Sequence, residues 1–266
     1  MMSVVDLDEL DEVCRTTAVS AGHLLREQWT QPRTLTRKGF RDFVTDADFA
    51  AQTLITQRIL AAYPTHGFLA EEDDPTLPTA GEVRWVVDPV DGTSNYSRQL
   101  GSYCVSLAAM QDQRVLVSAI YDPQRDELFT AVVGRGAHRN GHPLAVSAVD
   151  NLDEAILALD WAHGREQRQT TLNLIGQIGT HVRTIRALGT AALALAWVAA
   201  GRLDAYFNVS LKPWDCAAGQ LLVCEAGGQV TNAHGRVWHI QDPFCVASNG
   251  RVQAPLLAHI ASHLTP

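Results

Sequence analysis

The sequence predicts a layered protein of the α+β or α/β class, in which helices and sheets alternate. Helical periodicity marks the start of the 266-residue chain, and β-prone runs joined by short turns follow from about residue 83 to residue 146. After residue 150, β-prone and helical segments alternate to the end of the chain. Such segments bury their apolar faces by stacking on one another, so we expect several packed layers.

The first half predicts two helices followed by an antiparallel meander. Apolar residues at helical spacing indicate one helix within residues 6–29, and a second begins near Thr45 and ends before Pro64. The runs CVSLAAM, VLVSAIY and ELFTAVV are separated by QDQR and DPQRD, a pattern typical of antiparallel strands. Asn140-Gly141 predicts a further tight hairpin.

The second half predicts strands and helices with mixed pairing. AILALD, VRTIRAL, LDAYFNV and FCVAS are β-prone. Helices are expected over residues 166–178 and 190–200, from Pro213 to the Gly227-Gly228 pair, and at the end of the chain. No flexible joint is evident between residues 145 and 155. We therefore expect one domain, residues 1–266, with an N-terminal lobe of about 1–150 and a C-terminal lobe of about 151–266 that share a cleft.

Charge and composition disfavour several classes of partner. The net charge is −8 and the chain has only two lysines, Lys38 and Lys212, which argues against nucleic acid or an anionic membrane as a partner. The acidic start MMSVVDLDELDEV does not resemble a signal peptide, and no long apolar run is present, so we expect a cytoplasmic protein. The five cysteines show no C-x-x-C spacing and predict free, mostly buried thiols.

Two aspartates in the segment RWVVDPVDGTSNY indicate chemistry. Asp88 follows a predicted strand, Val83–Val87, and Asp91 comes one turn later. Gly92-Thr93 then predicts a helix start, where unpaired N–H groups attract anions. Carboxylates for a cation and N–H groups for an anion suit a metal-bound phosphate. The alternative is a simple turn in which Asp91 acts as a cap.

Three further acidic positions carry both a chemical and a structural interpretation. Glu71 follows the apolar run GFLA, whereas Asp73 and Asp74 after it fit a solvated loop. Asp215 lies in the first turn of a helix, where it could complement the helix dipole, and Asp48 in DFVTDAD could cap a helix. If these carboxylates share one site, they require a divalent cation, and all-oxygen ligands favour Mg²⁺ over Zn²⁺.

The order of these motifs resembles the inositol monophosphatase family of Mg²⁺-dependent, lithium-sensitive sugar phosphatases. The resemblance covers nearly the whole chain and is carried by DFVTDAD, EED, WVVDPVDGTSNY, GTAA at 189–192 and WDCAAGQLLVCEAGG. It implies an αβαβα sandwich, usually a homodimer, that hydrolyses a small phosphorylated metabolite with two or three Mg²⁺ per site. Paired cations of this kind activate water and stabilise the leaving group without a covalent intermediate.

The resemblance also implies roles for individual residues. Glu71, Asp88 and the Val90 carbonyl would hold one metal, and Asp88, Asp91 and Asp215 a second. Glu71 and Thr93, with Asp48, would serve catalysis by orienting the attacking water. The remaining implied contacts are Asp91, Gly92, Thr93, Ala191 and Asn208 for substrate, and Asp42, Asp48 and Lys38 as supporting residues.

Two departures from the family pattern bear on the substrate. Ala70 stands where relatives commonly have glycine, and Asn208 stands where inositol-phosphate hydrolysing relatives usually have a glutamate. Asn208 brings no charge, which weakens the case for inositol and does not favour histidinol phosphate either. Inositol monophosphate is the first candidate, and histidinol phosphate, fructose 1,6-bisphosphate and 3'-phosphoadenosine 5'-phosphate stay open. Asn208 could also be a plain surface residue.

Two other functions match parts of the sequence. Cys245 to Arg251 matches the C-x5-R spacing of cysteine-dependent phosphatases, a pattern that arises easily by chance. A regulatory or structural partner that keeps the fold is the alternative from another class. The intact set of Glu71, Asp88, Asp91 and Asp215 favours catalysis.

Overall fold

Seven α-helices and three β-sheets form the part of the chain that the computed structural model describes, residues 5–31, 34–39 and 42–264. No helix in those residues combines the length and the apolar character needed to cross a bilayer. The helices are α1 (Leu7–Glu27), α2 (Asp46–Ala62), α3 (Thr93–Ser97), α4 (Arg165–Ile178), α5 (Ala191–Ala199), α6 (Pro213–Glu225) and α7 (Gln253–Leu264).

Fourteen strands in the described residues make a two-, a seven- and a five-stranded sheet. The small sheet pairs β1 (Leu35–Gly39) with β2 (Asp42–Thr45). The seven-stranded sheet contains, in spatial order, β3 (Gly67–Ala70), β4 (Arg84–Asp91), β5 (Cys104–Gln111), β6 (Arg114–Asp122), β7 (Glu127–Val132), β8 (Ala137–Arg139) and β9 (His142–Pro143). The five-stranded sheet contains β11 (Thr184–Ala187), β10 (Ile156–Leu159), β12 (Ala205–Asn208), β14 (Cys245–Ser248) and β13 (Gln229–Thr231).

Helices and sheets stack as five layers, which confirms the αβαβα sandwich. α1 and α2 cover one face of the seven-stranded sheet and bury residues such as Trp85 and Leu107. α5 and α6 lie between the two large sheets, where Leu195 and Leu222 are fully buried. α4 and α7 cover the outer face of the five-stranded sheet, against Phe207 and its neighbours.

The sequence accounts for the positions of these helices. Asp6 caps α1, because its Oδ1 accepts hydrogen bonds from the backbone N–H groups of Asp8 (2.9 Å) and Glu9 (3.3 Å). α5, with the sequence AALALAWVA, is apolar on all sides. A helix without a polar face is stable only when it is buried all round, as it is between the two sheets.

Strand directions agree with the predictions in most places. β4 to β9 form the expected antiparallel meander, and the five-stranded sheet has mixed pairing. The parallel pair of β3 and β4 and the β1–β2 ribbon were not predicted. A short apolar run such as GFLA fits either strand direction equally well, so its pairing is decided by tertiary packing.

The predicted end of the strand before Asp88 is wrong. β4 runs on to Asp91, with Asp88 opposite Ser106 and Asp91 opposite Cys104. Three steps along β4 therefore match two along β5, which is a β-bulge, and Pro89 within it has no N–H for the ladder. Residues three apart in a regular strand point to opposite faces. The additional residue lets Asp88 and Asp91 turn toward the same side of the sheet.

Candidate metal centre and active site

Three carboxylates meet where β4 ends and α6 begins. One oxygen from each of Asp88, Asp91 and Asp215 lies within 4.8 Å of the others. β4 supplies the first two, and the first turn of α6 supplies the third. The backbone N–H of Lys212 donates to Oδ2 of Asp215 at 2.7 Å. Asp215 therefore lies in the first turn of α6, where it complements the helix dipole, and it joins the acidic cluster as well.

This cluster is electrostatically unfavourable by itself. Burial raises the pKa of Asp88 well above its ordinary value, and the charges of Glu71, Asp91 and Asp215 raise it further. Burial and the neighbouring Asp91 likewise raise the pKa of Asp215 well above the usual range. Because buried carboxylates at this spacing repel one another, a divalent cation among them would stabilise their charged forms.

Asp91 is held by the start of α5. Its Oδ2 accepts hydrogen bonds from the Thr190 hydroxyl at 2.5 Å and from the Ala192 N–H at 2.7 Å, and its Oδ1 accepts from the Ala191 N–H at 3.3 Å. Burial raises the pKa of Asp91, and these donors oppose that shift because they favour the ionised form. The N-terminal half thus supplies the carboxylate and the C-terminal half fixes its orientation.

Glu71 lies against the cluster and is paired with a lysine. Its side chain shares a hydrogen bond with Asp88, and Lys38 Nζ lies 3.3 Å from its Oε1. Lys38 also contacts Oε1 of Glu72 at 2.7 Å. Burial raises the pKa of Glu71 to about 7, and the charge of Lys38 opposes that rise. A carboxylate that titrates near neutral pH suits a general base.

Thr93 and Asp48 form a chain of hydrogen bonds beside Glu71. The Thr93 hydroxyl lies 3.0 Å from Oδ1 of Asp48 and 3.1 Å from the Val90 carbonyl, both acceptors for its proton. Oδ2 of Asp48 accepts from the backbone N–H of Thr45 at 2.9 Å and from its hydroxyl at 2.5 Å. Asp48 therefore caps α2 and also anchors Thr93, so both interpretations of Asp48 are compatible.

Gly92 shapes the turn between β4 and α3. Its φ of +97° is strained for any residue with a side chain, and a Cβ there would lie 2.9 Å from the Ser102 carbonyl oxygen. α3 after it is a single turn of five residues. The first N–H groups of a helix have no partner within the helix, so those of Gly92 and Thr93 remain candidates for an anion.

Comparison with known proteins gives this geometry a context. The model of the inositol monophosphatase family matches residues 6–265. The chain belongs to the inositol monophosphatase family. It is 41% identical over 251 residues to the Nus factor SuhB of Salmonella typhimurium, with 93% of this chain and 94% of that protein covered. It is 34% identical to inositol monophosphatase 2 of Solanum lycopersicum, with 93% and 96% covered.

Solved structures agree with the membership. A Thermotoga maritima inositol monophosphatase (IMPase) superimposes on this family member with a TM-score of 0.89 at 31% identity, covering 97% of this chain and 98% of that one. The name Nus factor, carried by the Salmonella relative, is not in line with our expectation of a chain without a nucleic-acid partner. We therefore withdraw that expectation.

The structure brings most of the predicted site residues of this family member together. Two others, Val90 and Ala191, have backbone groups that already form hydrogen bonds within the site. The Val90 carbonyl faces the Thr93 hydroxyl, and the Ala191 N–H donates to Asp91. Asn208 is 5% exposed on the central strand β12, so its interpretation as a surface residue is wrong. The side chain of Asp42 lies outside the described residues. Metal and substrate roles for these residues stay predictions.

Three contributors to the site were not predicted. Glu72 is 3% exposed and pairs with Lys38, although it stands first in a run, EDD, that fits a solvated loop. Thr190 was recognised only as part of the GTAA motif. Asp160, at the end of β10, is buried and accepts a hydrogen bond from Gly189 N–H. The one available signal for Asp160 was its place directly after an apolar strand, the same signal that identified Glu71.

Proposed function

We propose that this protein is a Mg²⁺-dependent phosphomonoesterase that hydrolyses inositol monophosphate. The observation that supports it most is the convergence of Asp88, Asp91 and Asp215 from two distant parts of the chain. Membership of the inositol monophosphatase family makes the same reaction class the first one to test. The proposal includes a cytoplasmic homodimer and inhibition by lithium.

The donors in this cluster suit magnesium. Asp88, Asp91 and Asp215 offer only carboxylate oxygens, which Mg²⁺ and other hard cations prefer, and none of the three is a sulfur or imidazole donor. We assign Asp88, Asp91 and Asp215 to one metal, and Glu71, Asp88 and the Val90 carbonyl to another. When bound, the metal supplies charge that polarises the phosphate and lowers the pKa of water.

The side chains around the cluster have separate tasks in this proposal. Glu71 accepts a proton from the attacking water; in the metal-free site, burial raises the pKa of Glu71 above its ordinary value. Asp48 accepts the hydrogen bond of the Thr93 hydroxyl, which leaves an oxygen lone pair of Thr93 to orient that water. The N–H groups of Gly92 and Thr93 donate to phosphate oxygens. No side chain of the chain forms a covalent bond to phosphorus.

Asn208 is the residue whose chemistry distinguishes between the candidate substrates. Its amide can accept from a substrate hydroxyl and donate to one, but it cannot pair with an ammonium as a carboxylate would. This argues for an uncharged polyol and against histidinol phosphate. Fructose 1,6-bisphosphate and 3'-phosphoadenosine 5'-phosphate are the remaining alternatives.

A phosphate-release assay over these four substrates tests the proposal. The purified protein is assayed at fixed Mg²⁺, with each substrate at several concentrations, and again after chelation with EDTA. We expect the highest kcat/KM for inositol monophosphate and no release with EDTA. A preference of more than about tenfold for histidinol phosphate would reject the substrate, and release in EDTA would reject the metal.

A second candidate is a regulatory role in which the fold matters more than hydrolysis. It is favoured by the relatives named Nus factor SuhB, at 40% and 41% identity. Asp91→Asn separates the two candidates in a cell whose own gene is replaced. If the phenotype of gene loss persists with Asp91→Asn, hydrolysis is the function that matters. If the variant restores growth fully, the regulatory role is favoured.

A further inference from the structure

A buried carboxylate outside the acidic cluster connects the metal side of the site to its substrate side. Asp160 follows β10 and is 7% exposed. Its Oδ1 accepts the Gly189 N–H at 2.5 Å, and its Oδ2 accepts the Tyr206 hydroxyl at 3.4 Å. Burial raises the pKa of Asp160 to about 7. A buried carboxylate is costly, so its two oxygens are expected to serve a purpose.

The first oxygen fastens the turn that holds Asp91. Gly189 precedes Thr190. The Thr190 hydroxyl and the backbone N–H of Ala192 both donate hydrogen bonds to Asp91. From the other side, the Asn95 amide donates to the Leu188 carbonyl at 2.7 Å. Gly189 itself has φ +74°, a conformation that glycine adopts without strain. Asp160 thus fixes the backbone amide of Gly189, directly before the residues that bind Asp91.

The second oxygen reaches Asn208 through a tyrosine. β10 and β12 are adjacent parallel strands with Leu159 opposite Phe207, so their carboxyl ends lie side by side. The Asn208 Nδ2 group donates to the Tyr206 hydroxyl oxygen at 3.3 Å, while its Oδ1 accepts the Ser210 N–H at 2.9 Å. Because the Tyr206 proton is directed at Asp160, the amide orientation of Asn208 is fixed as well.

We propose that Asp160 is a positioning residue that aligns Asp91 for metal binding and Asn208 for substrate binding. Asp160 acts through Gly189 and Tyr206, which it contacts directly. The proposal rests on the proposed function for the role of Asn208, whereas the part that concerns Asp91 needs only metal binding. Two separable effects follow. Loss of the Gly189 contact weakens metal binding, and loss of the Tyr206 contact weakens substrate binding.

Calorimetric titration with Mg²⁺ tests the first effect without turnover. Asp160→Ala should raise the Kd for Mg²⁺ by about tenfold, the lower end for residues that orient metal ligands. Asp160→Asn keeps an oxygen for the Gly189 N–H and should restore most of the affinity. Asp204→Ala is the matched control, because Asp204 is also buried in this half but binds Ser147 and the Ile156 N–H. It should leave the Kd unchanged.

Steady-state kinetics test the second effect. Tyr206→Phe should raise KM about tenfold while the Kd for Mg²⁺ stays at the wild-type value. Equal Kd values for Asp160→Ala and wild type, or an equal loss in Asp204→Ala, would overturn the role of Asp160 toward Asp91. An unchanged KM in Tyr206→Phe would overturn its role toward Asn208. If the wild type hydrolyses no phosphomonoester, the proposed function fails, and the Mg²⁺ titrations still decide the role toward Asp91.

Discussion

The hydroxyl of Thr190 lies 2.5 Å from Oδ2 of Asp91, although 99 positions separate the two residues. This contact joins the start of α5 to the bulged strand β4. It holds in place a carboxylate that forms the acidic cluster with Asp88 and Asp215. The alignment of the acidic cluster therefore depends on how the two halves of the chain pack.

Asp91→Asn should abolish turnover while the chain stays folded. The amide removes one negative charge from the cluster and presents a donor where Thr190 and Ala192 also donate, so metal binding is weakened directly. We expect a fall in kcat/KM beyond the roughly 10–100-fold typical of residues that only orient ligands. Phosphate release measures turnover, and circular dichroism measures whether the variant stays folded. The control is Asp73→Asn, at an exposed position, which should have wild-type activity. Wild-type activity in Asp91→Asn would refute the assignment of Asp91 as a metal ligand.

The metal-free protein should lose stability as the pH rises from about 4, the pKa of an aspartate in the unfolded chain, through the raised pKa values of the folded acidic cluster. The pKa values of Asp88, Asp91 and Asp215 are raised above their ordinary value of 3.8, so the folded state binds more protons than the unfolded state across this range. By linkage, the free energy of unfolding then falls with rising pH. Thermal denaturation in EDTA at several pH values measures this, and saturating Mg²⁺ should flatten the dependence.

Asp88→Asn should stabilise the metal-free protein at alkaline pH, where the carboxylates of the acidic cluster ionise despite their raised pKa values. The substitution removes one buried charge from the repelling cluster, and a gain of about 1 kcal/mol would raise Tm by about 2–4 °C in a protein of this size. The same variant should show little stabilisation by Mg²⁺. Asp112→Asn, on the surface, is the control. A lower Tm for Asp88→Asn in EDTA would show that the cluster is not under electrostatic strain.

Replacing Lys38 should move the pH profile of hydrolysis. The Lys38 charge lowers the pKa of Glu71, so in Lys38→Met that pKa rises. Glu71 must be ionised to accept a proton, and the acidic limb of kcat/KM should therefore shift to higher pH. Lys38→Arg keeps the charge and should keep the limb near its wild-type position. An unshifted limb in Lys38→Met would remove Glu71 from the role of base.

Cys245→Ser should have nearly wild-type activity. Cys245 is fully buried, and its sulfur lies 3.3 Å from that of Cys216 inside the core rather than at the acidic cluster. We expect kcat within about twofold of wild type and a modest loss of Tm, since a hydroxyl replaces a buried thiol. A collapse of kcat in a folded variant would instead support a thiolate nucleophile and the C-x5-R interpretation.

The sequence alone predicted the parts of the site that lie next to a recognisable element. Asp88 and Asp215 were found because each adjoins an apolar run or a helix start. Glu72 was missed because nothing in four successive acidic residues shows which one is buried. Its burial depends on Lys38, 34 positions earlier, through a contact that only the folded chain makes. The bulge at Pro89 was missed for a similar reason, since strand register is set by the partner strand.

Asp91 lies in one half of the chain and Thr190 in the other, so neither half holds the acidic cluster in place alone. A cut anywhere between these positions yields two fragments, and neither carries a whole site. Uptake of magnesium by a mixture of such fragments would thus report their reassembly. For the same reason neither half can be exchanged for a foreign one unless the interface comes with it.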